Sequence, residues 1–309
     1  MPNTGNPMND RTTPLDPTDA STERSSIRRR ILATLALLPL AGAAAAVDRP
    51  TAASAAALHA AVDGPQRSAA NRARDGARHP FETLEFFGLR PDWQVIEIAP
   101  GGGWYTEILA PFLNPHGRLY AAHYPADGTS EQRRARAAFR AKLAADPVTY
   151  RRVVLGTLPV THFTDIHPPG GADAVLTFRN IHNWIADGHF DETLRAFFDV
   201  LKPGGVLGVE EHRAPPGTSL ARVIDSGYVP QDFVVERARA AGFVFQAASE
   251  VNANPRDTHD HAQGVWALPP TLRGGEVDRA KYVAIGESDR MTLRFVKPLS
   301  AAAPSRATR

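Results

Sequence analysis

The sequence predicts an α/β fold in which a mostly parallel sheet carries helices on both faces. From residue 94 onward, short apolar runs alternate with stretches of helical length, which is typical of βαβ units. The first run, Val95–Ala99, leads into three glycines and then an amphipathic stretch. Leu201-Lys202-Pro203-Gly204-Gly205 ends a helical stretch directly before another apolar run, because proline and glycine both block continuation of a helix.

Each strand is assigned from an apolar or alternating run. The predicted strands cover residues 94–99, 118–123, 151–156, 173–178, 206–211, 243–250 and 291–297. The predicted helices of this region cover residues 103–113, 130–145, 188–201 and 230–241. A polar helix followed by an apolar one is expected within residues 64–90.

Composition limits the classes of function. The chain has 309 residues, a formal charge of +2 and no cysteine. The absence of cysteine excludes disulfides, thiolate nucleophiles and cysteine metal sites. Basic residues form no stripe along the chain, so a nucleic-acid substrate is not expected.

The N-terminus predicts export. Residues 1–25 are polar and read as disordered. Arg28, Arg29 and Arg30 then precede an uncharged run to Ala46 that ends in small residues, as in a secretory signal of the twin-arginine kind. The run is short for a membrane span, which needs about 20 residues, although an N-terminal anchor is the alternative. We expect a periplasmic or secreted protein with no stable membrane span after cleavage.

These signals divide the chain into four parts. Residues 1–46 form the disordered N-terminus and export signal, and residues 47–92 form a helical segment. Residues 93–298 form the main domain, which contains a long insertion at 252–289, and residues 299–309 form a disordered tail. Long ordered insertions often serve as lids or binding loops, so we expect this one to cover the mouth of the site.

Glu97-Ile98-Ala99-Pro100-Gly101-Gly102-Gly103 resembles the first motif of class I S-adenosylmethionine-dependent methyltransferases, an acidic residue followed by alternating glycines. Ala99 stands where the first glycine usually lies, and Gly101 and Gly103 match the other two. The turn at 201–205 resembles the turn before the fifth strand of that family. The resemblance implies a Rossmann-like, seven-stranded, mostly parallel sheet that ends in an antiparallel hairpin.

Shorter segments narrow the resemblance to an exported bacterial subfamily of predicted methyltransferases. The similar segments are His79-Pro80, Gly103–Glu107, Asn180–Trp184, Gly264–Trp266 and Gly286–Met291. This likeness implies no particular substrate.

The resemblance implies S-adenosyl-L-methionine as the cofactor and a small molecule as the methyl acceptor. Ligands of such sheets bind outside the carboxyl ends of the strands. The residues expected to bind the cofactor are Glu97, Ala99, Gly101, Gly103, His123 and Phe178.

His123 departs from the family pattern, which has an acidic residue at the end of the second strand to hold the ribose hydroxyls. A neutral imidazole accepts a single hydrogen bond, whereas a carboxylate accepts two from a diol. Asp127, in the loop that follows, is the alternative partner for the ribose.

The loop after the fourth strand carries the expected catalytic residues. Asn180 is expected to hydrogen-bond the acceptor, His182 to take its proton, and Trp184 to stack on the sulfonium or on a planar substrate. The competing interpretation makes Asn180 a helix cap and places the aromatic rings in the core. Glu210 and Glu211 end the fifth strand, and alternation of side chains predicts that they face opposite ways.

Two other functions compete with methyl transfer. A non-catalytic, exported ligand-binding protein on the same fold would explain both export and His123. A metal-assisted hydrolase would use His259 and His261, which lie among aspartates in the insertion. The leading hypothesis includes no metal.

Overall fold

The computed structural model describes residues 51–114 and 116–299. The predicted export signal, and the predicted tail from residue 300 onward, lie outside these residues. Among the described helices, none combines the length and the apolar character needed to cross a bilayer.

The sheet has the order β3-β2-β1-β4-β5-β8-β7. The strands are β1 Gln94–Ile98, β2 Arg118–His123, β3 Val153–Thr157, β4 Ala172–Phe178, β5 Leu201–Ala214, β6 Val229–Pro230, β7 Val244–Ser249 and β8 Arg290–Val296. Strands β1 to β5 are parallel, and β8 lies antiparallel between β5 and β7. The predicted α/β class, the mostly parallel sheet and the antiparallel terminal hairpin are therefore confirmed.

Helices precede the sheet and lie between its strands. They are α1 Ala52–Asp63, α2 Ala69–Arg72, α3 Asp75–Arg78, α4 Pro80–Phe86, α5 Thr106–Leu113, α6 Ser130–Ala145, α7 Pro147–Tyr150, α8 Ile181–Ala186, α9 Phe190–Val200, α10 Leu220–Ser226, α11 Gln231–Ala240 and α12 Arg279–Ile285. One short 3-10 helix, Gly264–Ala267, lies in the segment after β7.

The predicted number of seven strands is wrong, because the described sheet has eight. The additional strand, β6, has two residues and pairs with Arg213 and Ala214 at the extended end of β5. Two residues give no periodic signal in the sequence. Strand β2 has its predicted bounds, whereas β5 was predicted over 206–211 and extends at both ends to Leu201–Ala214.

One helix was not predicted, and another begins later than predicted. The helix predicted over 188–201 is found as α9, and an unpredicted helix, α8, precedes it. Gly188 separates the two with a φ of 77°, a conformation that glycine adopts without strain. The helix predicted from residue 103 begins instead at Thr106, because residues 101–105 are used in the turn.

Apolar side chains cover both faces of the sheet. On one face, Val95 and Leu176 pack with Ile108 of α5 and Leu84 of α4. On the other face, apolar residues of the strands pack with apolar side chains of α9 and α11. Burial on both faces explains why the central strands read as continuous apolar runs.

The order of the strands places a crevice at one edge of the sheet. From β1 the chain continues outward through β2 and β3, whereas β4 and β5 lie on the other side of β1. This is a topological switch point, where open α/β sheets bind ligands at the carboxyl ends of their strands.

Candidate functional site

The turn after β1 is held in a left-handed backbone conformation. Ala99, Gly101 and Gly103 have φ values of 47°, 57° and 84°. The amide of Gly103 closes the turn with a hydrogen bond of 2.9 Å to the carbonyl of Pro100. Glycine adopts such angles freely, whereas alanine pays about 1–2 kcal/mol. The alanine in the first motif position is therefore strained.

Glu97 lies beneath this turn and is 1% exposed. Its Oε2 accepts a hydrogen bond of 2.6 Å from the Thr106 hydroxyl at the start of α5. Burial raises the pKa of Glu97 to about 7, against the opposing effects of Thr106 and Lys142. Glu97 thus fixes strand to helix, and its predicted contact with a ligand stays a prediction.

Both ring nitrogens of His123 have protein partners. Nδ1 accepts a hydrogen bond of 2.8 Å from the amide of Tyr124, so the neutral ring carries its proton on Nε2. Nε2 lies 3.2 Å from the carbonyl oxygen of Gly101 and donates to it. Burial lowers the pKa of His123, which favours this neutral form. The ring supports the glycine turn and has no nitrogen left for a ribose hydroxyl.

Two cavities open at the switch point. The larger, of about 620 Å³, is lined by Gly101 and Gly102 of the turn and by residues of α6. The second, of about 400 Å³, is lined by Ala99, the segment after β3 and residues of α8. Tyr124 and Gln132 line both cavities and therefore lie at their junction. Volumes of this size suit small molecules.

The three predicted catalytic residues do not face one cavity. Asn180 lines the second cavity, and its Nδ2 lies 3.3 Å from the carbonyl oxygen of Ile98 and 3.1 Å from the Thr177 hydroxyl. Trp184 touches the same cavity but is 3% exposed and packs in the core, where its ring meets Phe197. Most of the Trp184 ring is therefore part of the core, as the competing interpretation expects.

His182 faces the other side of α8. Its Nδ1 lies 3.0 Å from Oε1 of Glu211, and its ring lies against the rings of His212 and Trp266. The other carboxylate oxygen of Glu211 accepts a hydrogen bond of 2.6 Å from the amide of Ile181. The carboxylate, rather than the Asn180 side chain, therefore caps the first turn of α8.

The Glu210 side chain lies on the face of the sheet opposite to that of Glu211, as the alternation of side chains along a strand predicts. It accepts hydrogen bonds from the Tyr105 hydroxyl at 2.9 Å, from Arg179 at 2.9 Å and from Arg290 at 2.8 Å. Burial by itself would raise the pKa of Glu210, but Arg290, Arg179 and Arg78 hold it at about 2. Both glutamates of β5 are fully buried, each within its own polar cluster.

Phe178 and Gly103 support the site from outside the cavities. The Phe178 ring stacks on Tyr105 with centroids 3.6 Å apart. A Cβ on Gly103 would lie 3.1 Å from the Phe139 ring of α6. Neither residue lines the two cavities, and their contact with the cofactor stays a prediction.

The segment 252–289 is fastened around a buried aspartate. Asp257 accepts hydrogen bonds from the Tyr228 hydroxyl, from Nε2 of His261 and from the amide of Asp289. His259 contacts a different carboxylate, that of Asp289, with its Nε2 3.3 Å from Oδ2. The segment contributes no wall to either cavity, so its predicted role as a cover stays a prediction.

Sequence reasoning missed the side chains that line both cavities. Gln132 belongs to the capping box of α6, in which it pairs with Thr129. That capping box was a usable signal, because it places Gln132 in the first turn of a helix that begins near the carboxyl edge. Tyr124 and Leu158 follow directly on β2 and β3, at the same edge.

Comparisons with known proteins support the fold. No family model matches the chain. The chain is 31% identical over 144 residues to the ubiquinone/menaquinone biosynthesis C-methyltransferase UbiE of Ectopseudomonas mendocina (strain ymp), a match that covers 47% of this chain and 51% of that relative. The chain thus spans about half the length of the curated relative that it matches.

Two solved structures share the architecture. The [4+2]-cyclase SpnF is similar with a TM-score of 0.52 and 18% identity, covering 77% of this chain and 86% of that chain. A protein of Galdieria sulphuraria assigned as a sarcosine dimethylglycine methyltransferase is similar with a TM-score of 0.52 and 12% identity, covering 78% and 90%. One of these folds carries a cyclase, so the fold by itself does not choose the reaction.

Proposed function

We propose that this protein transfers a methyl group from S-adenosyl-L-methionine to a small-molecule acceptor. The observation that carries the proposal is the pair of cavities at the switch point, whose floor is the glycine turn after β1. The partial match to a C-methyltransferase favours the same reaction. The acceptor is expected to be a small molecule, because the cavities have the size of a small-ligand site.

The glycine turn fits an adenosyl ligand. A Cβ built on Gly101 or Gly102 meets no atom within 4 Å, so a ligand has free approach to this backbone. Asn180 and Gln132 present polar side chains to the cavities, and Tyr124 presents an aromatic ring. We assign the binding of the cofactor to these residues together with Ala99.

The bound cofactor supplies an activated methyl group on a sulfonium. The protein's own contribution is to hold the acceptor in line with that methyl group and to exclude water, since placement provides much of the rate of such a transfer. Asn180, one of the predicted catalytic residues, lines the second cavity, and we assign it to positioning the acceptor. His182 would have to reach the acceptor from the opposite side of α8.

Calorimetric titration of the purified protein with S-adenosyl-L-methionine tests the proposal. We expect saturable binding, which Asn183→Ala in the cavity wall weakens. Asn114→Ala at the end of α5 serves as the control, since Asn114 bonds to Val148 and Arg151 away from the cavities. Formation of S-adenosylhomocysteine with a panel of hydroxyl, amine and carbon acceptors then tests transfer. A folded protein that gives no heat with millimolar cofactor would refute the proposal.

Export is part of the proposal and rests on the sequence of residues 26–46. Fractionation of cells that express the full chain tests it. We expect the protein outside the cytosol, and retention in the cytosol when Arg28 and Arg29 are both replaced by Lys. If the doubly substituted chain were exported as well as the wild type, the assignment of a twin-arginine signal would be wrong.

A further inference from the structure

We propose that His182, Glu211 and His212 bind a divalent transition-metal ion of the zinc class. The three residues lie where α8 begins and where β5 approaches its end. One ligand atom from each lies within 4.8 Å of the others. In the part of the chain that the structure describes, this is the one group of three or more potential ligands with such spacing. The proposal goes beyond methyl transfer and does not depend on it.

The residue types suit such an ion. Two imidazoles and one carboxylate form a recurrent ligand set of catalytic zinc sites and of non-haem iron sites, both of which keep positions open for water or substrate. The distance from Nδ1 of His182 to Oε1 of Glu211 is 3.0 Å. Ligand atoms at about 2.0–2.2 Å from a tetrahedral zinc lie roughly 3.3–3.6 Å apart, so small side-chain movements admit the ion.

The surrounding hydrogen bonds already orient the ligands. The amides of Ile181 and His212 donate to the Glu211 carboxylate at 2.6 Å and 2.8 Å. The Ser288 hydroxyl lies 2.5 Å from Nδ1 of His212, which leaves Nε2 of that ring for an ion. Partners of this kind orient metal ligands and are worth about 10–100-fold in affinity.

The local charges permit a cation. The cations that interact electrostatically with His212 include Arg179 and Arg290. The two arginines are themselves paired with Glu210 at 2.9 Å and 2.8 Å. Glu211 is then the carboxylate that faces His182, and His212 belongs to the same group of side chains.

Metal analysis of the tag-free full chain tests the site. After removal of metal with a chelator and dialysis, the protein is titrated with Zn²⁺ and with Co²⁺, whose visible absorption reports its ligands. We expect one equivalent of either ion and a raised melting temperature with Zn²⁺. Glu211→Gln, which keeps an oxygen to cap α8, and His212→Asn should each weaken binding at least tenfold. His162→Asn is the matched control, because His162 is an exposed histidine that contacts Thr161.

Each outcome decides a single proposal. Wild-type protein that binds no more metal than His212→Asn, with no Co²⁺ spectrum, would overturn the metal site. Circular dichroism of each variant distinguishes loss of ligands from loss of fold. Titration of the same metal-free sample with S-adenosyl-L-methionine keeps the two proposals separate, since a protein that binds the cofactor but no metal refutes only the metal site.

Discussion

The Thr106 hydroxyl donates a hydrogen bond of 2.6 Å to Oε2 of Glu97 and so joins the end of β1 to the first residue of α5. The glycine turn that forms the cavity floor lies between these two residues. A single buried carboxylate therefore fixes the two ends of the turn, and its protonation state is coupled to the stability of the site.

Stability should fall as Glu97 loses its proton. Its pKa rises from 4.5 in the unfolded chain to about 7 in the folded protein, so the unfolded chain releases the proton first as the pH rises. The contribution of Glu97 is therefore fully present below pH 4.5 and is lost as the pH rises through 7. Between pH 5 and 8, we expect a loss of about 2–3 kcal/mol relative to Glu97→Gln, which does not titrate.

Urea unfolding of both proteins at several pH values measures this difference. The comparison with Glu97→Gln removes the effects of other titrating groups, because those are present in both proteins. Parallel stability curves for the two proteins would show that Glu97 titrates at its ordinary pKa.

Ala99→Gly should stabilise the protein by about 0.5–1 kcal/mol. The φ of Ala99 is 47°, and relief of this strain exceeds the entropy that a glycine costs. The matched control is Ala122→Gly, a buried alanine of β2 with an ordinary φ, which should destabilise. Unfolding free energies from urea titration test both signs, and destabilisation by Ala99→Gly would contradict the strain.

The neighbouring glycines should separate folding from binding. Gly103 has a φ of 84°, and a Cβ there would lie 3.1 Å from Phe139. Gly103→Ala should therefore lower stability by at least about 1 kcal/mol. Gly102 lines the larger cavity and has open space around a Cβ. Gly102→Ala should leave stability within about 0.5 kcal/mol and weaken binding of S-adenosyl-L-methionine.

Thermal unfolding and calorimetric titration of the two variants provide the test. Unchanged affinity of Gly102→Ala for the cofactor would place the cofactor away from the turn. An equal loss of stability in both variants would show that the free space above Gly102 is needed by the fold.

The sequence was sufficient for the architecture because long periodic segments determine it. The helix α6 and the strand β2 have their predicted bounds, since the capping box of α6 and the apolar run of β2 are local signals. The sequence was insufficient for the orientation of side chains around the site. His182 and Asn183 lie on different sides of α8, and only Asn183 lines the cavity. His182 contacts Glu211, which lies 29 residues later in the chain. No local sequence pattern encodes that pairing.

The same limit applies to His123 and Glu97. Both stand at positions that the family motif assigns to ligand contacts, but each is already bonded within the chain, to Gly101 and to Thr106. These partners depend on the closing of the turn, which follows from φ angles rather than from residue types. The position of Tyr124 in the site could not be predicted from local sequence either. It lines the cavities because the ends of β1, β2 and β4 meet in the folded sheet.

Removal of the Glu210 charge should be the most destabilising change near the site. Glu210→Gln leaves Arg179 and Arg290 without their shared carboxylate in a buried environment, which typically costs about 3–5 kcal/mol. Tyr105→Phe removes only one hydrogen bond to the same carboxylate and should cost about 1–2 kcal/mol.

Because the pKa of Glu210 falls to about 2 in the folded protein, its contribution is present above pH 4.5 and is lost as the pH falls through 2. Urea unfolding at pH 7 and at pH 3 measures both effects. The advantage of the wild type over Glu210→Gln should shrink at the lower pH, and an advantage that grew there would contradict the assigned ion pairs.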